Sequence, residues 1–447
     1  MAKITVILPS YNVIKYINEC LDSVIAQKHA DLEILCIDGA SEDGTLEVLR
    51  DYEKRDPRIR VIVSEVKSYG HQVNLGIKEA TGDYVGIVET DDWIEADMYS
   101  ALLDLMERED ADYVKGKGEM FYEISENAVY KMGVSPVPAD MYDKETKCAL
   151  VSPAETPQLV LWDYYLWNGL YKKSLIGSIK LNETPGAAYQ DIGFLVQSLT
   201  KAHKAVYLDK LVYHYRKSNE NASSFHSNAV DHLLNEYEYV DTLLLNAGDE
   251  WKKAAEKKMT RQVFYRIKMM AYIGQYNNNA DSGFERLKQR LLASGRNGYL
   301  WARDHSEYEW YNLGLFIDSP RRLYERLSND LAAARKNIHM VLNEAKGKDC
   351  VIFGCGKIGV YLSFVLMKKG GYRHLSFCDN SEEKQNRMIN GISVLPVETA
   401  VKNDDSVFFA AGRYAGEMHR QLCGAGIDDR RIFEFVAPED YGFFLAL

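Results

Sequence analysis

Proline is scarce in this sequence, 10 in 447 residues, and no compositionally biased tract interrupts it, which excludes fibrous and extensively disordered classes. No window approaches the ~18 consecutive apolar residues of a membrane-spanning helix. The first residues, MAKITVILPSYN, lack a basic segment followed by an apolar stretch and a cleavage site, so export is not expected. Positive charge is in deficit: 54 Lys and Arg against 65 Asp and Glu leave a net charge of −11, the opposite of the basic surface that displaces counterions from nucleic acid. No nucleic-acid partner is expected. The cysteines number seven, widely spaced and without a CxxC pair, and read as buried or free thiols of a reducing, cytoplasmic compartment, neither a disulfide frame nor a zinc site.

What is present fits a soluble globular protein, with 46% hydrophobic and 27% charged residues. The length exceeds the ~250 to 300 residues at which single cores stop growing, so two or three folded units are expected. Thirty tyrosines against 15 phenylalanines favour sites where a ring is buried and its hydroxyl finds a partner. Tyrosine-rich packing is the plain explanation.

The first ~115 residues alternate strand and helix signals. Ile4 to Leu8, Ile34 to Ile37, Ile59 to Val63 and Tyr84 to Val88 are short apolar runs, and Ile14, Ile17, Leu21, Val24 and Ile25 recur at helical spacing. This βαβ order predicts a mostly parallel sheet whose ligands sit beyond the carboxyl ends of the strands. Residues of about 116 to 230 carry Pro136, Pro138, Pro153, Pro157 and Pro185 and read as irregular, loop-rich chain. From 231 the apolar period is helical, and Ser319-Pro320 is a helix start. At Cys350 to Phe353 a strand signal returns, followed by the glycine turn GCGKIG, a helix and a second strand ending at Asp379.

Acidic residues recur at the predicted strand ends: Asp38 after ILCI, Asp43 in GASEDGT, and Glu89, Asp91 and Asp92 in VGIVETDDW. Carboxylates gathered at the ligand edge of a sheet repel one another, and a divalent cation that also bridges phosphates is a sufficient reason for them. The simpler reading is that each caps a turn or helix.

VILPSYN, IDGASEDGT, NLGIKEATGDYVGIVETDDW, WNGLYKKSL, YQDIGF and YHYRKSNENASS, taken in order over residues 1 to 225, resemble the family 2 glycosyltransferases, GT-A fold enzymes that transfer a sugar from a nucleotide-activated donor, usually with inversion. The resemblance implies an α/β protein made of a GT-A nucleotide-diphospho-sugar transferase domain (1–230), a helical connector (231–346) and a small Rossmann-like α/β domain (347–447). It assigns Pro9, Tyr11, Asp38, Asn74 and Thr90 to the nucleotide. Asp91 would hold Mn²⁺ or Mg²⁺ on the diphosphate, with Glu89 standing where the motif usually begins with Asp; His214 stands where some relatives turn a histidine toward the metal or diphosphate and reads equally as a satisfied core histidine. Asp191 corresponds to the catalytic base, although as the residue before an apolar helix it also reads as a cap. The arginine the family carries near the Asn-x-Gly step is absent, Val73 preceding Asn74; Lys67 and His71 read equally as a source of local charge or polarity near the donor and as solvated loop residues. Trp162 and Trp167, within an aromatic cluster before Asp191, read equally as an acceptor wall or as core.

In the tail, Gly354, Gly356, Gly359 and Asp379 follow the dinucleotide fingerprint, so a second nucleotide site or mere turn chemistry are both open. No Tyr-x-x-x-Lys proton relay accompanies them, which argues against an NAD(P)-dependent reaction. The expectation is a cytoplasmic, metal-dependent inverting transferase acting from a nucleotide-sugar, UDP-linked by preference, on a bacterial surface glycan or lipid-linked acceptor, compatible with peripheral membrane contact and homo-oligomerisation. A non-catalytic nucleotide- or glycan-binding scaffold, or a bifunctional protein whose tail modifies the nucleotide-sugar, are the alternatives.

Overall fold

The computed structural model describes residues 2–125, 128–186, 188–219, 229–273, 278–403 and 405–436. The chain forms two compact units: the first comprises Met1–Phe121, Met132–Arg266 and Asn277–Pro320, the second Tyr122–Lys131, Ile267–Tyr276 and Arg321–Leu447.

The first sheet is ten-stranded. Its strands are β1 (Ile4–Ser10), β2 (Leu32–Asp38), β3 (Ile59–Val63), β4 (Tyr84–Ile87), β5 (Trp93–Ile94), β6 (Tyr113–Ser125), β7 (Ala128–Val134), β8 (Cys148–Val151), β9 (Gly169–Lys172) and β10 (Ala205–Arg216), in the order β3-β2-β1-β4-β9-β6-β10-β5, with β7 on β6 and β8 on β10. Strands β1 to β4 are mutually parallel, and their registers pair Ser10 with Asp38 and Ile7 with Ile87. Pro9, Asp38 and Glu89 therefore come to one edge of the sheet. Strand β1 is buried along its whole length, as expected of a central strand covered on both faces. The helix Ile17–Ile25 buries Ile17, Cys20, Leu21 and Val24, one face at a period of 3.6, against Val6, Leu8, Ile34 and Leu102.

The loop-rich reading of residues 116 to 230 is corrected. This stretch holds most of β6 and all of β7 to β10, with β9 antiparallel to both β4 and β6. Glycine and lysine interrupt the apolar pattern of β6 (YVKGKGEMFYEIS), which hides it from a periodicity test. The glycines answer a packing need: a Cβ at Gly116 would lie 2.4 Å from Cγ2 of Val212 on the neighbouring β10.

The helical period continues as Ala229–Leu243, Asp249–Ile273, Asn278–Arg296, Glu307–Asp318 and Pro320–Ala345, the last starting at the expected Ser-Pro step. The second unit has its own sheet of β11 (Asp349–Phe353), β12 (His374–Cys378), β13 (Met388–Ile389), β14 (Ile392–Leu395), β15 (Val407–Ala411) and β16 (Ile432–Phe435), in the order β13-β14-β12-β11-β15-β16 and parallel except for β13. Among the described residues no helix is long and apolar enough to cross a membrane.

Candidate active site

The loops beyond β1 and β2 are held by short polar side chains. Asp38, fully buried, accepts from the backbone N–H and Oγ of Ser41 at 2.9 and 2.6 Å. Asp43 accepts from the Ile14 amide at 3.0 Å and from Thr45 Oγ1 at 2.6 Å, and although burial opposes it, these bonds hold its carboxyl below the usual range. Asp43 is thus a tie between the loops, and the turn chemistry read from GASEDGT is realised. Asn12 and Ala40 have φ of 52° and 60°, an uncommon conformation for residues with a Cβ that is often maintained at functional sites. Tyr11 is exposed beside them, with Lys67 Nζ 5.3 Å from its ring centroid and 3.1 Å from Glu42. The Pro9 carbonyl accepts from Thr90 Oγ1 at 2.9 Å, joining the first motif to the acidic cluster.

In that cluster Glu89 accepts from Tyr69 Oη at 2.5 Å. Burial, with the charges of Asp91 and Asp191, pushes its carboxyl up to about 8 despite that hydrogen bond. Asp91 is raised by burial too, offset by the 2.8 Å bond from Asn219 Nδ2. Asp92 is fully enclosed, accepting from Tyr213 Oη at 2.8 Å and the Arg216 amide at 2.7 Å; it builds the loop, while Glu89 and Asp91 face the edge. The Arg216 guanidinium donates to the Asp91 carbonyl at 2.8 Å and pairs with Glu19. His214 has other partners: Nε2 is 2.8 Å from Glu95, Nδ1 is 3.3 Å from Glu119, and its ring stacks on Trp93 at 3.4 Å. A metal-directed role for His214 finds no support in this geometry. Glu220 to Ser224, the end of the YHYRKSNENASS motif, lie outside the described residues.

Asp191 opens the helix Asp191–Lys201, following Tyr189 at φ 73°. Burial raises its carboxyl, partly offset by the Lys258 charge and by the amides of the first turn. Lys258 is itself buried, its Nζ 4.4 Å above the Tyr164 ring, and burial pushes its ammonium down to about 8 against the pull of Asp191 and Asp163. Gln190 fastens this corner, accepting from the Gly70 amide at 2.8 Å and donating to the Thr184 carbonyl at 3.0 Å. Glu236 supports the helix from behind, accepting from the Gly193 amide at 2.9 Å. Burial lifts its carboxyl from 4.5 to about 7, against that hydrogen bond and one from Asn182.

Glu236 yields a pH prediction. Its folded-state pKa lies above its unfolded value, so stability is fully present below pH 4.5 and is lost as pH climbs toward 7, by about 3 kcal/mol for this shift. Glu236→Gln keeps an acceptor for Gly193 without the charge. It is expected to raise the thermal midpoint at pH 8 and to leave it nearly unchanged at pH 4.5; equal shifts at both values would show that the charge is not the cause.

Several assigned residues have structural work. Asn74 spends its amide on the Leu181 backbone, at 2.9 Å in both directions, and on Glu183 at 2.8 Å, so it pins the 181–183 segment. Trp167 is buried in the core, stacked on Tyr213 and Tyr165 at 3.9 and 4.5 Å. This is the packing alternative for that residue; Trp162 is half-buried. Gln72 was not singled out from sequence, yet its buried amide donates to the carbonyls of Ser10 and Ile37 at 2.8 and 2.7 Å, bracing the ends of β1 and β2.

The glycine turn of the second unit is equally occupied. A Cβ on Gly359 would lie 1.8 Å from the Gly354 carbonyl oxygen, and Gly354 has φ 103°. Asp379 accepts from the Cys355 and Ser381 amides at 2.8 and 2.9 Å and lies 3.4 Å from Lys384 Nζ. Both carboxylate oxygens thus already have partners within the protein. Gly356 caps the helix Lys357–Lys369 and has open space around its Cα.

The residues facing the sheet edge fit a divalent cation. Glu89 and Asp91 are hard oxygen donors, both raised by burial, and the Asp91 charge raises Glu89 further, the situation a cation relieves.

This is the construction of a nucleotide-sugar transferase of the GT-A type: carboxylates at the edge of a parallel sheet, with a further carboxylate at a helix start within their electrostatic reach. The sequence matches Glycosyl transferase family 2 over residues 5–147. It is 30% identical to the uncharacterized glycosyltransferase EpsJ of Bacillus subtilis over 244 residues, 53% of this chain and 67% of that one. It is 29% identical to the glycosyltransferase GlyA of Streptococcus pneumoniae over 308 residues, 65% of this chain and 41% of that one. The crystal structure of S. aureus TarS 1-349 in complex with UDP-GlcNAc shares the fold, with a TM-score of 0.54 and 18% identity over 75% of this chain and 91% of that one. The chain belongs to the family 2 glycosyltransferases and is a transferase enzyme.

Proposed function

We propose that the protein is an inverting, metal-dependent transferase that moves a sugar from a UDP-sugar to a hydroxyl of a bacterial surface glycan or lipid-linked oligosaccharide, at the cytoplasmic side of the membrane. The observation that carries this reading is the convergence of Glu89, Asp91 and Asp191, close enough that the Asp91 and Asp191 charges both act on Glu89. Asp38, at the end of β2 and held by Ser41, would accept from the base, with Pro9, Tyr11 and Thr90 shaping its pocket. Asp91 and Glu89 would hold Mn²⁺ or Mg²⁺, which when bound supplies charge neutralisation for the leaving diphosphate. Asp191 would take the proton from the acceptor hydroxyl as its oxygen attacks the anomeric carbon, and inversion needs only that one base. The Lys258 ammonium favours the ionised form of Asp191 that this step requires. TarS, crystallised with UDP-GlcNAc, and a poly(ribitol-phosphate) β-glucosyltransferase of Bacillus spizizenii, 34% identical over 119 residues, support the donor and acceptor classes.

Thermal melting with UDP, GDP, CDP and dTDP, each with and without Mn²⁺, tests the reading. A midpoint rise confined to UDP with the metal present is expected, since a ligand bound only by the folded state stabilises by mass action. An equal response to every nucleotide, or one indifferent to metal, overturns the assignment.

A further inference from the structure

The second unit gathers a set of metal-binding side chains with no part in the transferase reading. His419 and Cys423 are one turn apart on the helix Ala415–Gly424, so both project from the same face. Asp429, in the short turn before β16, brings its Oδ1 to 2.8 Å from His419 Nε2 and 3.9 Å from Cys423 Sγ. One ligand atom from each of the three residues lies within 4.8 Å of the others. On the far side of the ring, His419 Nδ1 is 3.0 Å from Glu434 Oε1 on β16.

We propose that His419, Cys423 and Asp429 form a zinc site, with Glu434 as its orienting carboxylate. A histidine that ligates through one nitrogen commonly donates its other N–H to a carboxylate, which sets the tautomer and aims the ring; Glu434 stands where that partner belongs. Imidazole, thiolate and carboxylate together suit Zn²⁺ and not the hard cations taken by an all-oxygen site. Bonds of about 2.0 to 2.3 Å place tetrahedral ligands about 3.3 to 3.8 Å apart. The observed 2.8 and 3.9 Å bracket that range, so small side-chain rotations admit the ion. An ion pair between His419 and the two carboxylates would account for the imidazole and the acids but leaves the sulfur without purpose. Cys423 is also the exposed one among seven cysteines, the other six being buried. Binding releases the thiol proton to solvent. Three protein ligands leave a fourth position for water or for a group from another molecule.

The spacing His-x-x-x-Cys followed by Asp six residues on escaped the sequence reading because a single cysteine with no second one nearby matches no zinc-finger pattern. The test is Co²⁺ titration of the full-length protein after chelator treatment. One equivalent should generate a thiolate-to-cobalt charge-transfer band, abolished by excess Zn²⁺ and by Cys423→Ser. The carboxylates Glu89 and Asp91 cannot generate that band, so its presence is independent of the transferase assignment. Glu434→Gln should keep the band and weaken affinity about 10- to 100-fold, the range for loss of an orienting partner. No charge-transfer band, or one that survives Cys423→Ser, overturns the proposal.

Discussion

Asp191→Asn is expected to lower the rate of sugar transfer by about 10² to 10⁴, the contribution of a positioned general base, while UDP binding in the presence of Mn²⁺ stays near the parent value. Glu89, which feels the Asp191 charge, and Asp91 are poor substitutes. Glu89 already accepts from Tyr69 and is pushed up to about 8, and Asp91 is held by Asn219. Asparagine is close in size and can still accept from the helix's first-turn amides, so loss of turnover cannot be blamed on loss of the helix start. Steady-state kinetics with the donor varied should show kcat falling with KM little changed, the signature of an interaction made in the transition state. Retained turnover would remove Asp191 as the base, and a parallel loss of UDP binding would make it part of the donor pocket instead.

Strands β1 to β4 of the first sheet are legible in the sequence, and β6 to β10 are not. The central strands β1, β2 and β4 are largely buried and read as short apolar runs within two residues of their observed bounds, while the edge strand β3, with Arg60 and Val63 exposed, is still bounded correctly by its β-branched residues. The later strands β6, β9 and β10 carry glycines, lysines and tyrosines whose reason is the neighbour across the sheet. Gly116 makes way for Val212, a contact separated by nearly a hundred positions and invisible to any local window. The acidic residues were legible because carboxylates at strand ends are chemically costly and hence conspicuous. Their supports were not: Gln72, Gln190 and Asn219 are ordinary amides until the fold shows which carbonyls and carboxylates they meet. The loop side chains divide in the same way, since Asp38 keeps its place at the edge of β2 while Asn74 is consumed by the segment 181–183.

The tyrosine excess finds part of its cause at the centre of this missed region, and with it the second large effect. Lys115 on β6 is fully buried and donates to Asp163 Oδ1 at 2.7 Å and to the Tyr165 carbonyl at 2.8 Å. Tyr207 donates to Asp163 at 3.1 Å and lies 2.7 Å from the Tyr113 hydroxyl, while the rings of Tyr113 and Tyr171 flank the ammonium at 5.5 and 5.8 Å. Burial lowers the Lys115 pKa, against the pull of Asp163, so the pair persists because each charge has its partner. Lys115→Met leaves the carboxylate enclosed with the Tyr207 hydroxyl as its remaining side-chain donor, and breaking a buried pair in this way costs about 3 to 5 kcal/mol. Urea denaturation should show that loss as a fall in midpoint with an unchanged slope. Adding Asp163→Asn to Lys115→Met removes the stranded charge and should recover a large part of the stability, because most of the single-variant penalty is the uncompensated carboxylate and not the lost bond. Additive losses in the double variant would mean that the two groups act independently, and a Lys115→Met variant within about 1 kcal/mol of the parent would mean that the interior around Asp163 is open to water. Asp163 stands four residues before Trp167, on the stretch that leads into β9 beside β4.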